Sequence, residues 1–105
     1  MTIIEPGGFR TDFAGGSLSR AKQIIDDYNP TSGVTREYLT ARNGAQPGDP
    51  ALLGEALCKV VSMPDPPLRL ALGHDAWEQV RSKIDNTSRE TERWKDLSMS
   101  TGFNA

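Results

Sequence analysis

The sequence predicts an α/β fold, and three observations carry that prediction. A short β-branched run at Ile3-Ile4 stops at Pro6-Gly7-Gly8. A second apolar run, Leu68-Arg69-Leu70-Ala71-Leu72, alternates and stops at Gly73. Between and after these runs lie segments whose apolar residues recur every three to four positions, the period of a helix. Two strands joined through a helix form a parallel crossover in most proteins, so the two runs are expected side by side in one parallel sheet.

The elements follow in order. Ile3 and Ile4 form a continuous apolar pair without polar alternation, which suits a strand covered on both faces. Phe9 to Gly16 reads as a loop with two aromatics. From Ser17, the spacing of Leu18, Ala21, Ile24 or Ile25, and Tyr28 predicts a helix that Asn29-Pro30 stops, because the residue before proline is pushed out of helical geometry. A weaker helix is expected from about Thr35 to Arg42, closed by Asn43-Gly44. Asp49 is a good N-cap and Pro50 suits the first helical position. Leu53, Ala56, Leu57, Val60 and Val61 then form one apolar stripe, with Cys58 expected buried beside it. Pro64-Asp65-Pro66-Pro67 is a stiff extended connector to the second strand. Asp75 and Glu78 have the spacing of a capping box for a long last helix. Its apolar face (Trp77, Val80, Ile84, Trp94, Leu97) thins after Ile84, and the tail from Ser98 to Ala105 is expected to fray.

Composition narrows the function. Leu, Ile, Val and Phe make up 21 of the 105 residues, a thin supply for a core, yet the net charge of −2 gives disorder little support. The pI near 5.3 lacks the basic excess of a nucleic-acid binder, so no nucleic-acid partner is expected. No apolar run is long enough to span a membrane, and no signal peptide is visible at Met1. A single cysteine excludes an internal disulfide, so a cytoplasmic location is expected. Chemistry is sparse. His74 is the single histidine and Cys58 the single cysteine, too few for a usual zinc site, and no nucleophile elbow accompanies them. Neither a catalytic residue nor a metal ligand is assigned.

The informative segment is Glu5-Pro6-Gly7-Gly8-Phe9-Arg10-Thr11-Asp12-Phe13. A strand ending in Pro-Gly-x-aromatic-x-Thr resembles the end of the sixth strand of short-chain dehydrogenases/reductases. Gly48-Asp49-Pro50 opening a helix, a Pro-Pro-Leu-Arg-Leu-Ala-Leu-Gly strand and an Asp-Ala-Trp helix follow in that family's order. The resemblance covers essentially the whole chain and implies the C-terminal part of a Rossmann-like, doubly wound parallel sheet, with two short strands and about four helices. Residues 1–105 are then one unit: 1–16 a strand and cofactor-facing loop, 17–46 a substrate lid, 47–98 helix, strand and helix.

The same resemblance implies function. Pro6 and Gly7 would wall the nicotinamide of NAD or NADP, the Phe9 backbone would pair with its carboxamide, and the Thr11 hydroxyl would bond the carboxamide or a phosphate. Phe13 and Leu18 would belong to the mobile lid over an alcohol or carbonyl substrate. The family's glycine-rich loop and its Ser and Tyr-x-x-x-Lys set are absent from these 105 residues. Tyr38-Leu39-Thr40-Ala41-Arg42 mimics the latter, but with arginine in the lysine position and inside the lid. The chain is therefore expected to be a truncated oxidoreductase, inactive and without tight cofactor binding by itself. The alternative is a small interaction protein that complements or docks on another dehydrogenase chain. A separate N-terminal dehydrogenase fragment, or a second copy meeting it through 49–72, are the expected partners. Met1 stands where the family's strand commonly has valine, which suggests a reading frame opened at an internal valine codon or split from upstream sequence.

Overall fold

The protein is described here by a computed structural model covering residues 1–103. Strand β1 (Ile3–Pro6) and strand β2 (Arg69–Leu72) form a two-stranded parallel sheet. The register pairs Ile3 with Arg69, Ile4 with Leu70, Glu5 with Ala71 and Pro6 with Leu72. The Ile3 N–H donates to the Leu68 carbonyl at 2.7 Å and the Gly7 N–H to the Leu72 carbonyl at 2.8 Å. Helices α1 (Val34–Arg42), α2 (Pro50–Val61), α3 (His74–Arg93) and α4 (Lys95–Met99) complete the mixed α/β architecture.

Because strand side chains alternate, each face of this sheet carries two residues from each strand. Glu5, Arg69 and Ala71 line one cleft with Val80 and Ile84 of α3. On the opposite face, Leu72 lines a cleft with Leu53 and Ala56 of α2. One helix lies toward each side, as in a doubly wound sheet, but the cover expected on both faces of Ile3-Ile4 is incomplete, since Ile3 remains 40% exposed. Helix α2 starts as its sequence dictates: the Asp49 carboxylate accepts from the Ala51 N–H at 2.8 Å, and Pro50 occupies the first turn.

Several expectations are corrected. The helix expected over Ser17 to Tyr28 does not form; only a 3₁₀ turn at Asp26–Tyr28 is helical there. Ile24 and Ile25 remain 59% and 52% exposed, so the amphipathic stripe has no surface to pack on, and a helix of about a dozen residues is marginal in water without one. Pro30 opens rather than stops helical structure. It sits in the first turn of a π-helical segment, Asn29–Gly33, that runs straight into α1. The last helix is broken at Trp94, where the indole N–H donates back to Glu90 at 2.7 Å and the Arg93 guanidinium stacks on the ring. Helical structure then continues through Met99, and the Ser100 N–H is bonded to the Asp96 carbonyl, so the tail is ordered further than expected. The expected fraying of Asn104 and Ala105 lies outside the described residues. On α2, Leu53, Ala56 and Val60 turn inward, whereas Leu57 is partly exposed, Val61 is 86% exposed and Cys58 is exposed, not buried.

The packing is thin. Among the described residues only Ala14, Val60 and Ala76 are buried apolar side chains. The radius of gyration is 19.8 Å, against about 13 Å for a compact domain of this length. The chain exposes 8923 Å² of surface, where a folded monomer of its mass would expose about 5,800 Å². The molecule is a plate of 63 × 49 × 20 Å, with much of its apolar surface facing outward.

Candidate functional site

Ligands of open α/β sheets bind beyond the carboxyl ends of the strands. Here both strands end at turns that touch. β1 runs into Gly7-Gly8, and β2 into Gly73, whose φ of +108° is open to glycine alone at little strain. A Cβ on Gly73 would lie 3.6 Å from the Gly7 backbone. The loop then leaves the sheet through an isolated parallel bridge between Phe9 and Gly48. The Gly48 N–H donates to the Gly8 carbonyl at 2.9 Å, and the Arg10 N–H donates to the Gly48 carbonyl at 2.9 Å. In a parallel bridge of this pattern the flanking residues supply both bonds, so the N–H and C=O of Phe9 itself point away. Neither group is hydrogen-bonded to the described residues. Pro6, Gly7 and Phe9 thus fall in one run at the strand end, with a free donor and acceptor at Phe9.

Thr11 lies at the next turn. Its hydroxyl oxygen accepts from the Phe13 N–H at 3.3 Å and caps the 3₁₀ turn Asp12–Ala14, which leaves the hydroxyl proton to donate elsewhere. Phe13 is 70% exposed and Leu18 is half-buried. The segment 17–46 is mostly irregular before α1 and is tied together by Arg20, which donates to the Thr40 hydroxyl at 3.0 Å. Tyr38 and Arg42 lie one turn apart on α1, with the guanidinium 5.3 Å from the ring centre. His74 is exposed at the first residue of α3, 3.3 Å from Glu78. Neither it nor Cys58 lies among the residues of this loop.

Three residues to which the sequence assigns no role in this loop organise it. Asp12 accepts from the Gly16 N–H at 2.9 Å and the Ser17 hydroxyl at 2.6 Å, and these bonds hold its carboxyl below the usual carboxylate range. Gln46 is buried; its backbone carbonyl accepts from the Arg10 Nε and Nη2 at 3.2 and 3.1 Å, and its side-chain Oε1 has no donor among the described residues. Asp75 is the third. Its spacing to Glu78 suggested a capping box, but Gly73 is the N-cap of α3 and no side chain caps it. Instead, the Asp75 carboxylate reaches across to the β1 turn and accepts from the Gly8 N–H at 2.7 Å. That bond, foremost, keeps the Asp75 carboxyl below its ordinary range. The signal available in the sequence was the Gly7-Gly8 pair, since only a turn without side chains admits so close a carboxylate.

No family model matches the sequence. Oxidoreductase BOA17 of Botryotinia fuckeliana is 34% identical over 101 residues, covering 96% of this chain and 36% of that protein. The uncharacterized oxidoreductase C162.03 of Schizosaccharomyces pombe is 31% identical over 100 residues, covering 95% of this chain and 34% of that protein. The crystal structure of a short-chain dehydrogenase from Streptomyces avermitilis shares the fold with a TM-score of 0.75 and 33% identity, over 96% of this chain and 36% of that one. The chain therefore spans about a third of the length of the relatives it matches. With the order of its motifs, its parallel sheet and these relatives in agreement, the chain is similar to the C-terminal portion of short-chain dehydrogenases and shares the Rossmann-like fold of that portion.

Proposed function

We propose that the chain supplies the nicotinamide-facing loop and the substrate lid of an NAD(P)-dependent oxidoreductase that interconverts an alcohol and a carbonyl compound. The observation that carries this reading is the Phe9 peptide, whose donor and acceptor are free at the carboxyl end of β1 beside two glycines. A carboxamide offers one acceptor and one donor, the complement of that peptide edge. When bound, NAD or NADP supplies the hydride acceptor or donor. Pro6 and Gly7 line the ring, Phe9 fixes its carboxamide, Thr11 donates its remaining proton to the carboxamide or a phosphate, and Phe13 and Leu18 shield the site from water.

These groups fit the nicotinamide end of the cofactor and nothing more. The phosphate-binding loop and the general-acid tyrosine that the reaction requires are not among the 105 residues. By itself the chain is accordingly inactive and a weak cofactor binder. Fluorescence titration with NADH and NADPH tests this: no saturation is expected at micromolar nucleotide. Near-stoichiometric binding, or turnover of any alcohol by the isolated chain, overturns it.

A second reading is a small interaction protein that docks on another dehydrogenase chain, either an N-terminal fragment or a second copy, through 49–72. Leu52 and Leu68, each 61% exposed, and Val61, 86% exposed, favour it. Co-expression with a dehydrogenase N-terminal portion, followed by size-exclusion chromatography, distinguishes the two. A stable complex without oxidoreductase activity supports docking alone.

A further inference from the structure

We infer that Asp75 is a positioning residue: delivered by the β2–α3 turn, its carboxylate latches the Gly7-Gly8 peptide of the β1 loop and so fixes the direction in which the Phe9 N–H and C=O face the cofactor. The inference rests on the cofactor reading above, and it concerns a residue which that reading does not use. The geometry is specific. The carboxylate accepts from the Gly8 N–H at 2.7 Å, across 67 residues of sequence. A Cβ added at Gly7 would lie 1.9 Å from Asp75 Oδ1 and 2.5 Å from its Cγ, so the turn has closed on the carboxylate. A Cβ at Gly73 would lie 2.9 Å from the same oxygen. Gly7 and Gly73 therefore form the two walls of a slot that holds this one side chain.

The consequence passes directly to Phe9. The two peptides that flank the Gly8 Cα are each held, Gly7–Gly8 through its N–H by Asp75 and Gly8–Phe9 through its carbonyl by the Gly48 N–H. With both pinned, rotation about the Gly8 backbone is restricted, and the second of these peptides carries the Phe9 N–H. A hydrogen bond to an ionised acceptor is roughly twice as strong as a neutral one, so Asp75 is the firmer of the two. Without it the Gly7-Gly8 pair would sample many conformers, and the Phe9 amide would have to be ordered by the cofactor at a cost in affinity. The other titratable groups around the carboxylate are Glu5 of β1 and Tyr38 of α1, which line the same cleft, and Arg42 of α1, whose charge favours the ionised form.

The test is nuclear magnetic resonance of the full ¹⁵N-labelled chain. The Gly8 amide is expected downfield, with a shift that follows a single carboxylate titration, and Asp75→Asn is expected to abolish that titration. Adding millimolar NADH is expected to move the Phe9 amide, whereas AMP, its adenine half, leaves it in place; Asp75→Asn is expected to require severalfold more NADH for the same movement. Gly7→Ala in the native background should lose the Gly8 signal from its latched position, and the Gly7→Ala, Asp75→Ala double variant should show no further loss, because the collision has gone with the carboxylate. A Gly8 amide at a disordered-chain position in the native protein, or one indifferent to Asp75→Asn, overturns the latch. A Phe9 amide that responds to the same NADH concentrations in both proteins overturns the positioning role and leaves the cofactor reading standing. A Phe9 amide that responds in neither, with the Gly8 titration intact, overturns the cofactor reading instead.

Discussion

Gly73 carries more of this fold than its size suggests. Its φ of +108° and ψ of 145° lie in a region closed to residues with a Cβ, and it lets β2 turn into α3 with Asp75 aimed at the neighbouring loop. Gly73→Ala should cost about 1–3 kcal/mol from backbone strain, read as a lower urea midpoint. The Asp75 carboxylate adds a pH dependence of known sign. Its folded value lies below its ordinary one because the Gly8 N–H favours the ionised form, so its contribution is complete above the ordinary carboxylate range. It is lost as pH falls through the lowered folded value. Urea midpoints measured down from neutral pH should therefore fall in acid less steeply for Asp75→Asn than for the native chain. The pair between Arg69 and Glu5 also joins the strands side by side, but it is open to solvent and screened by salt.

Among the elements, α2 is the one whose sequence and structure coincide most closely. Asp49, Pro50 and the inward turn of Leu53, Ala56 and Val60 each act within the helix or one layer from it. Asp49→Ala should cost about 1 kcal/mol, the usual loss of an N-cap, and should raise amide exchange at Ala51 to Leu53 before the rest of the helix. Helix α3 divides differently. Val80 is half-buried beside the sheet, whereas every residue from Arg81 to Arg93, Ile84 included, is open to water. Amide exchange should be slow from Trp77 to Ile84 and markedly faster from Asp85 to Arg93. The segment 17–28 shows why periodicity misled. Leu18, Ala21 and Ile24 have the helical period, but period only reports which residues would share a face, and Ile24 stays 59% exposed on it. Pro30 is ambiguous in the same way, since proline ends a helix from within and begins one from its first turn. The candidate site was legible in part. Pro6-Gly7, Phe9 and Thr11 stand in one short run, which local sequence can display. Asp75 and Gln46 lie far along the chain from that run, and no spacing rule links them to it.

For the whole molecule, the surface of 8923 Å² exceeds that of a compact monomer by an amount comparable to an obligate interface, roughly 2,000–5,000 Å². The free edge of β1 and the outward face of α2 are the places where another chain would cover it. The chain should bind an apolar dye such as ANS and self-associate in sedimentation velocity at neutral pH. Leu52→Glu with Val61→Glu should reduce that association without lowering helix content by circular dichroism, because both side chains point outward. A monodisperse monomer with no dye binding would sink this account of the surface.

By itself the sequence determined what depends on near neighbours: the two strands, the start of α2, the class of fold, and the loop that marks the family. Tertiary structure alone decided the rest. It set the parallel register, left 17–25 irregular, and turned Asp75 from an expected helix cap into a bond with Gly8. The reason is physical. Caps, proline geometry and strand alternation are satisfied within a few residues, whereas a carboxylate chooses among all the donors that folding brings within reach, and that choice is made only when the two strand ends meet.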